Sequence, residues 1–298
     1  MVHIVSAEMA EPRMDWLELS NALAAGHELP KAELGDTFLY RRADTMLTRS
    51  AWIDGMGVAV KTATAFPENE GPKINGAVSV FSDEDGTLEA LIDFHLVTKW
   101  KTAGDSLLAA RRLARPDSAQ ILIVGAGTVA GSMVEAYRSA FPAATIQIWN
   151  RTDARAQELA VRYEVETAVD LPAAVAAADI ICCATMSREP VLQGEWVSPG
   201  THIDLIGAFR SDMREADDET LRRARLFVDN RGTTIGHIGE LMIPLADGVI
   251  KESDVLADFY DLPHFRRESD DDITVCKNGG GAHLDLMTCR YILEVLNR

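Results

Sequence analysis

The chain has 298 residues, is 47% hydrophobic and carries 46 acidic against 29 basic side chains, a net charge of −17. A chain this acidic repels nucleic acid and anionic membrane surfaces, so neither is expected as a partner. It holds no run of 18 apolar residues and no basic-then-apolar leader over residues 1–8, so no membrane span and a cytoplasmic location are expected.

Taken in chain order, apolar residues recur at helical spacing over 14–25. Residues 37–40 and 45–52 read as a hairpin turning near Arg42, 57–66 alternates as a further strand, and 76–81 and 88–93 are two more joined by an Asp- and Gly-rich turn. A helix over 98–113 leads up to Pro116. These elements make an antiparallel sheet with helices. From 119 to about 270 the pattern changes to strands at 120–124, 145–149, 180–184, 202–206 and 226–228, with helices near 130–140, 154–162, 171–177 and 215–223. Such alternation builds a doubly wound parallel sheet. Residues 273–277 are strand-like, 278–281 read as a flexible glycine turn, and 284–296 as a helix that packs back on the first part. The fold class is therefore α/β: a doubly wound, Rossmann-type parallel sheet over 116–274, with a second α+β domain made of 1–115 and 275–298. The four cysteines, Cys182, Cys183, Cys276 and Cys289, lack zinc-ligand spacing, so reduced buried thiols and no metal are expected.

Between the strand 120–124 and its helix stands Gly125-Ala-Gly-Thr-Val-Ala130, the glycine turn of a dinucleotide-binding βαβ unit. Gly125 permits the tight turn, Gly127 lets the backbone approach a pyrophosphate, and Ala130 lets the helix sit close to the strand. Thr128 and Val129 open the helix, whose unpaired N–H groups attract the anion. The next strand ends in Asn150, Arg151 and Thr152 rather than in a carboxylate that would grip a ribose 2′-OH. A guanidinium and a hydroxyl suit a 2′-phosphate, so NADP(H) is the expected cofactor, with NAD(H) as the alternative. Thr185 and Ser187 follow the strand 180–184 at the carboxyl edge of the sheet and are placed at the nicotinamide end, as is Gly207. Lys61 closes the alternating strand Gly57-Val-Ala-Val-Lys61, where a solvated lysine is less expected.

Several pieces, in order and spacing, carry a resemblance over nearly the whole length. They are Gly57-Val-Ala-Val-Lys61 with Phe66-Pro-Glu-Asn69, Asp85-Gly-Thr-Leu88, Val97-Thr-Lys-Trp-Lys-Thr-Ala103, Val124-Gly-Ala-Gly127, Pro199-Gly-Thr-His202, Ile206-Gly-Ala208 and Ile273-Thr-Val275. The chain resembles the ornithine cyclodeaminase/mu-crystallin family. That resemblance implies a homodimer, a small amino- or imino-acid substrate, and a substrate-binding and dimerisation role for the α+β domain. It matches Lys61 to a substrate-contacting lysine, and Lys101 to a position commonly held by an arginine that pairs with the substrate carboxylate. The family's early-hairpin arginine has three candidates here, Arg41, Arg42 and Arg49, with Arg49 and Arg41 preferred. Asn69 and Asn75 are candidates for amide contacts near the substrate, with turn formation as an equal explanation of both. Phe209 stands where cyclodeaminases carry the aspartate that binds the substrate amino group. Mu-crystallin, a ketimine reductase, also lacks that aspartate and resembles this chain at Trp149-Asn-Arg-Thr152.

The expected function is thus NAD(P)H-dependent reduction of a small α-imino acid, foremost a cyclic ketimine such as Δ1-pyrroline-2-carboxylate. Lys61 and Lys101 would hold the carboxylate, and the proton would come from Lys61 or from a bound water. The alternatives are ornithine cyclodeamination on bound NAD, an alanine dehydrogenase-like or linear imino-acid reduction, and a non-catalytic, crystallin-like NADP-binding protein.

Overall fold

The computed structural model describes residues 2–298. By its internal contacts the chain forms two units, one of residues 1–104 with 281–298 and one of 105–280.

The first unit is built on a six-stranded sheet. It opens with β1 (His3–Val5), α1 (Ala7–Ala10) and α2 (Trp16–Gly26). Helix α2 starts where it does because the Asp15 carboxylate accepts the amides of Leu17 and Glu18 at 2.8 and 2.9 Å. Next come β2 (Glu33–Arg41), β3 (Asp44–Ile53), β4 (Gly57–Ala65), β5 (Ile74–Phe81) and β6 (Leu88–Asp93). The order is β1-β6-β5-β4-β3-β2, antiparallel except for β1, which runs parallel to β6. The β2–β3 hairpin is longer than its apolar pattern suggests, and its turn places Arg42 at φ 56°. Strand β4 alternates, with Gly57, Ala59 and Lys61 buried and their neighbours half-buried. The C-terminal helix Ala282–Asn297 packs against α2, β3 and β4. Strand β2 is exposed along its whole length and presents Leu34, Phe38, Leu39 and Tyr40.

Helix α3 (Phe94–Leu113) begins four residues before the expected 98, because Asp93 accepts the amide of Leu96 at 2.7 Å. The unit boundary falls inside this helix, at 104/105 rather than 115/116.

The second unit carries an eight-stranded, all-parallel sheet. Its strands are β7 (Gln120–Val124), β8 (Thr145–Trp149), β9 (Glu166–Thr167), β10 (Ile180–Cys183), β11 (His202–Leu205), β12 (Arg225–Val228), β13 (Val255–Ala257) and β14 (Thr274–Lys277), in the order β13-β12-β14-β11-β10-β7-β8-β9. Helices α4 (Thr128–Ala140), α5 (Asp153–Tyr163), α6 (Leu171–Ala177), α7 (Asp218–Arg223), α8 (Arg231–Thr234) and α9 (Gly239–Ala246) connect them. The order reverses at β7, which has β10 on one side and β8 on the other. That reversal opens the crevice where ligands bind in such sheets.

Three expectations are corrected here. Strand β14 lies between β11 and β12 and is bonded on both sides, so it belongs to the parallel sheet and the second boundary moves from 274/275 to 280/281. The helix expected from 215 starts at Asp218, because Asp217 caps it through the Thr220 amide while the carbonyl of Glu215 accepts the amides of Val191 and Leu192. Residues 278–281 are not a flexible turn. Asn278 donates to Asp105 at 2.9 Å, Gly280 donates to Asp229 at 2.6 Å, and a Cβ at Gly279 would strike the Thr234 side chain.

Arg290 of the C-terminal helix ties the turn before β4 to the end of β5 and to β6. It donates to the carbonyls of Met56 (2.6 Å) and Phe81 (3.0 Å) and pairs with Glu89. Replacing it by alanine is expected to lower the unfolding free energy by about 2–4 kcal/mol, since charge-assisted bonds to carbonyls are lost. Urea melts of Arg290→Ala against the parent protein measure this.

Candidate active site

The glycine turn of the second unit has the form a pyrophosphate needs. Gly125 adopts φ +123°, donates to the Trp149 carbonyl at 2.8 Å, and sits so close to the Ala184 carbonyl that a Cβ would come within 2.7 Å of its oxygen. Gly127 is the N-cap of α4, no side chain caps that helix, and a Cβ at 127 would meet nothing within 4 Å. At the start of that helix Thr128 is exposed and Val129 half-buried, its first-turn amides take no side-chain cap, and the buried Ala130 keeps the helix against the sheet. Gly131 does similar work against another helix: a Cβ there would approach the Tyr163 ring. A depression of about 330 Å³ is lined by Gly127, Thr128, Arg155, Glu158 and Tyr163, among others. Arg155 is a cation beside the glycine turn that sequence reasoning missed.

At the end of β8 the Asn150 amide donates to the Thr152 carbonyl at 3.0 Å and so shapes the turn into α5. Arg151 and Thr152 are exposed there, and Thr152 is the N-cap of α5 with no side-chain bond of its own.

The loops after β10 and β11 meet at the same carboxyl edge. Thr185 donates through its amide and its hydroxyl to the Glu215 carboxylate (2.7 and 2.9 Å), and the amides of Gly207 and Ala208 donate to the other oxygen of that carboxylate (2.7 and 3.0 Å). The Ser187 hydroxyl is used within its own loop, donating to the Glu189 carbonyl at 2.6 Å. Behind Glu215 lie Glu240 and Lys277, also buried. Burial pushes the Glu215 carboxyl up to about 7, with Lys277 working against the rise and Glu240 adding to it. Nothing in the spacing of Glu215, Glu240 and Lys277 announces this cluster, because they come from three separate segments.

Phe209 is 57% exposed at the end of the β11 loop. Asp212, three residues on, does not replace the missing carboxylate. It is engaged by Arg210 through two bonds of 2.9 and 2.8 Å and by Arg188 at 3.2 Å.

In the first unit, Lys61 is buried and its ammonium pairs with Asp285 at 2.9 Å, lying 4.8 Å from the centre of the Phe94 ring. Asp285 is a partner that the sequence did not reveal. Arg49 stands directly opposite Lys61 in the β3–β4 ladder, on the same face, and pairs with Asp36 at 3.0 Å. Arg41 lies at the hairpin tip, bonded to Asp44 and 74% exposed. The side-chain amides of Asn69 and Asn75 both donate to the Pro72 carbonyl, which is turn chemistry. Lys101 is half-buried on α3. His283 is fully buried, edge-on to His27, and burial pushes its ring well below the usual range. Among the described residues no cluster of His, Cys, Asp or Glu could hold a metal, and all four cysteines are buried free thiols.

The profile of the ornithine cyclodeaminase/mu-crystallin family matches residues 24–298. The chain belongs to that family. Within it, the chain is 52% identical to the Δ1-pyrroline-2-carboxylate reductase of Paracoccus denitrificans over 96% of its own length and 95% of that protein's. It superposes on the Δ1-pyrroline-2-carboxylate reductase of Thermococcus litoralis, solved with NADH and L-proline, with a TM-score of 0.88 and 25% identity, covering 99% and 97% of the two chains. An archaeal alanine dehydrogenase dimer with bound NAD gives a TM-score of 0.89 at 27% identity, covering 99% and 95%.

The raised Glu215 value has a consequence for stability. Between pH 4.5 and about 7 the folded protein keeps a proton there that the unfolded chain has released. The stability this proton contributes is complete below 4.5 and is lost as the pH rises through about 7. The melting temperature of the parent minus that of Glu215→Gln should therefore fall across this window and level off above it, as thermal melts in a buffer series would record.

Proposed function

We propose that this protein is an NADPH-dependent reductase of Δ1-pyrroline-2-carboxylate that forms proline, with the six-membered ketimine as the closest competing substrate. The observation that carries this reading is the 52% identity to the Paracoccus reductase along almost the full length of both chains. Phe209 supports it, because a substrate amine would find no carboxylate there, and Asp212 is committed to two arginines.

A bound nicotinamide coenzyme supplies the hydride. In the second unit, Gly125 and Gly127 with the amides of Thr128, Val129 and Ala130 hold the pyrophosphate. Arg151 and Thr152, presented by the Asn150 turn, favour a 2′-phosphate, which is the basis for preferring NADPH over NADH. Thr185, Ser187 and Gly207 receive the nicotinamide end.

In the first unit, Lys61 holds the substrate carboxylate and is the source of the proton that the imine nitrogen needs before it accepts hydride. An ammonium withdrawn from water attracts a carboxylate far more strongly than a solvated one does. Asp285 holds that ammonium in place through their 2.9 Å ion pair. Lys101 adds a second cation, as a point charge without the two-pronged grip of arginine. Of the hairpin arginines Arg49 is favoured over Arg41, because it faces Lys61 across the ladder.

The protein acts as a homodimer in the cytoplasm. The wholly exposed β2 with its four large apolar side chains supports the first statement, since a bare apolar edge strand invites a second chain. The four buried free thiols fit a reducing compartment.

The reading is tested by following NADPH oxidation at the coenzyme's near-ultraviolet band with Δ1-pyrroline-2-carboxylate, NADH in parallel, and ammonia release from L-ornithine with NAD as the rival assay. Turnover with NADPH above NADH is expected, and Arg151→Ala should narrow that preference. Ammonia release without imine reduction overturns the reading in favour of cyclodeamination. Pyruvate plus ammonia as the better substrate would favour the alanine dehydrogenase-like alternative. Lys61→Met, assayed on folded protein, is expected to lower kcat/KM by about 10²–10⁴-fold.

A further inference from the structure

One buried side chain holds the loops after β10 and β11, and the chemistry described so far makes no use of it. Each oxygen of the Glu215 carboxylate serves a different loop: one takes the amide and hydroxyl of Thr185, the other the amides of Gly207 and Ala208, all within 3.0 Å. The loops also meet directly. The amides of Ile206 and Gly207 both donate to the Cys183 carbonyl at 2.9 and 3.2 Å, and a Cβ at Gly207 would run into the Thr185 backbone. Glu215 cannot drift, because the Glu240 carboxylate accepts its own amide and that of Ala216 at 2.7 and 3.0 Å.

This arrangement is a poor way to gain stability. A carboxylate removed from water and set near a second one carries a desolvation cost that an apolar side chain of the same volume would avoid. What it does supply is a fixed separation between two backbone segments. The residue after Thr185 is Met186 and the residue after Ala208 is Phe209, and both are large, apolar and exposed, 73% and 57%. The clamped loops thus hold out two apolar side chains at the carboxyl edge of a parallel sheet, where a flat ring is received.

We propose that Glu215 is a positioning residue for hydride transfer, which fixes the spacing of the Thr185 and Gly207 loops and thereby the seat of the nicotinamide ring. The proposal rests on the NAD(P)H-dependent reading above.

Glu215→Gln, assayed above pH 7 where the parent carboxyl is ionised, is the direct test. The amide has nearly the same shape, but its NH2 group faces donors whichever way it is turned, so one of the two loops is released. The expected result is a split. NADPH affinity stays within about threefold of the parent, because the adenosine and pyrophosphate contacts are untouched, while single-turnover hydride transfer slows by about 10²-fold. The deuterium isotope effect on kcat with C4-deuterated NADPH rises as the transfer step becomes limiting. The fluorescence of bound NADPH falls towards that of the free coenzyme. Thr185→Val removes one of the four bonds and should give an intermediate slowing, and it decides the matter if Glu215→Gln does not fold.

Hydride transfer within about threefold of the parent in the folded variant, or a loss of rate accounted for wholly by weaker NADPH binding, overturns the proposal. The fluorescence arm needs no imino acid. A parent protein that binds NADPH but does not reduce Δ1-pyrroline-2-carboxylate would sink the substrate reading alone, and unchanged NADPH fluorescence in the variant would then sink the clamp. A parent protein that does not bind the coenzyme sinks both.

Discussion

The ion pair between Lys61 and Asp285 is the interaction on which the role proposed for the first unit depends. It joins the fourth strand to the C-terminal helix across 224 residues of sequence, with both side chains almost wholly out of water. Such a pair is no bargain for stability, since desolvating two charges offsets much of their attraction, yet removing one partner leaves the other buried and uncompensated at a cost of about 3–5 kcal/mol. The arrangement is understandable if the ammonium is there to meet an anion. Asp285 then holds the charge in place between turnovers, and the Phe94 ring beside it adds an apolar wall with a favourable face for a cation.

The second unit solves the complementary problem by other means. On the proposed reading it needs few charged side chains at the pyrophosphate, because backbone amides at a bare helix start supply the field. Glycine is required at 125 by its backbone angle and by the Ala184 carbonyl, whereas at 127 the point is the empty space that a side chain would fill. At the loops after β10 and β11 the device is reversed: a single buried carboxylate gathers amides instead of leaving them open. Both devices sit at the carboxyl edge of one parallel sheet, the first beside the strand-order reversal at β7. Family membership and the identity to a Δ1-pyrroline-2-carboxylate reductase give this geometry its reaction.

Much of this was legible in the sequence, for reasons that differ by element. The glycine turn could be read because its requirements are local and fall within six residues. The strand–helix alternation could be read because the buried strands are short apolar runs. Lys61 stood out because a charge interrupts an alternating apolar strand. Asp285, Glu215, Glu240 and Lys277 could not be read, because their meaning lies in partners far away in the chain and each looks like an ordinary charge in its own segment. Strand β14 was assigned to the wrong unit since nothing in Thr274–Lys277 tells that both its neighbours come from the parallel sheet. The glycines at 279–281 suggest mobility by composition, yet the Asp229 carboxylate takes the Gly280 amide and the Thr234 side chain crowds Gly279. The helix starts at Trp16 and Phe94 were displaced from expectation by single aspartate caps, which periodicity alone does not locate.

The most direct measurement is to trace the hydride. The protein is incubated with Δ1-pyrroline-2-carboxylate and NADPH deuterated at both C4 positions, and the product is analysed by mass spectrometry and proton NMR. The account predicts proline carrying one deuteron, on Cα. Proline without deuterium on Cα, or no proline at all, would contradict it.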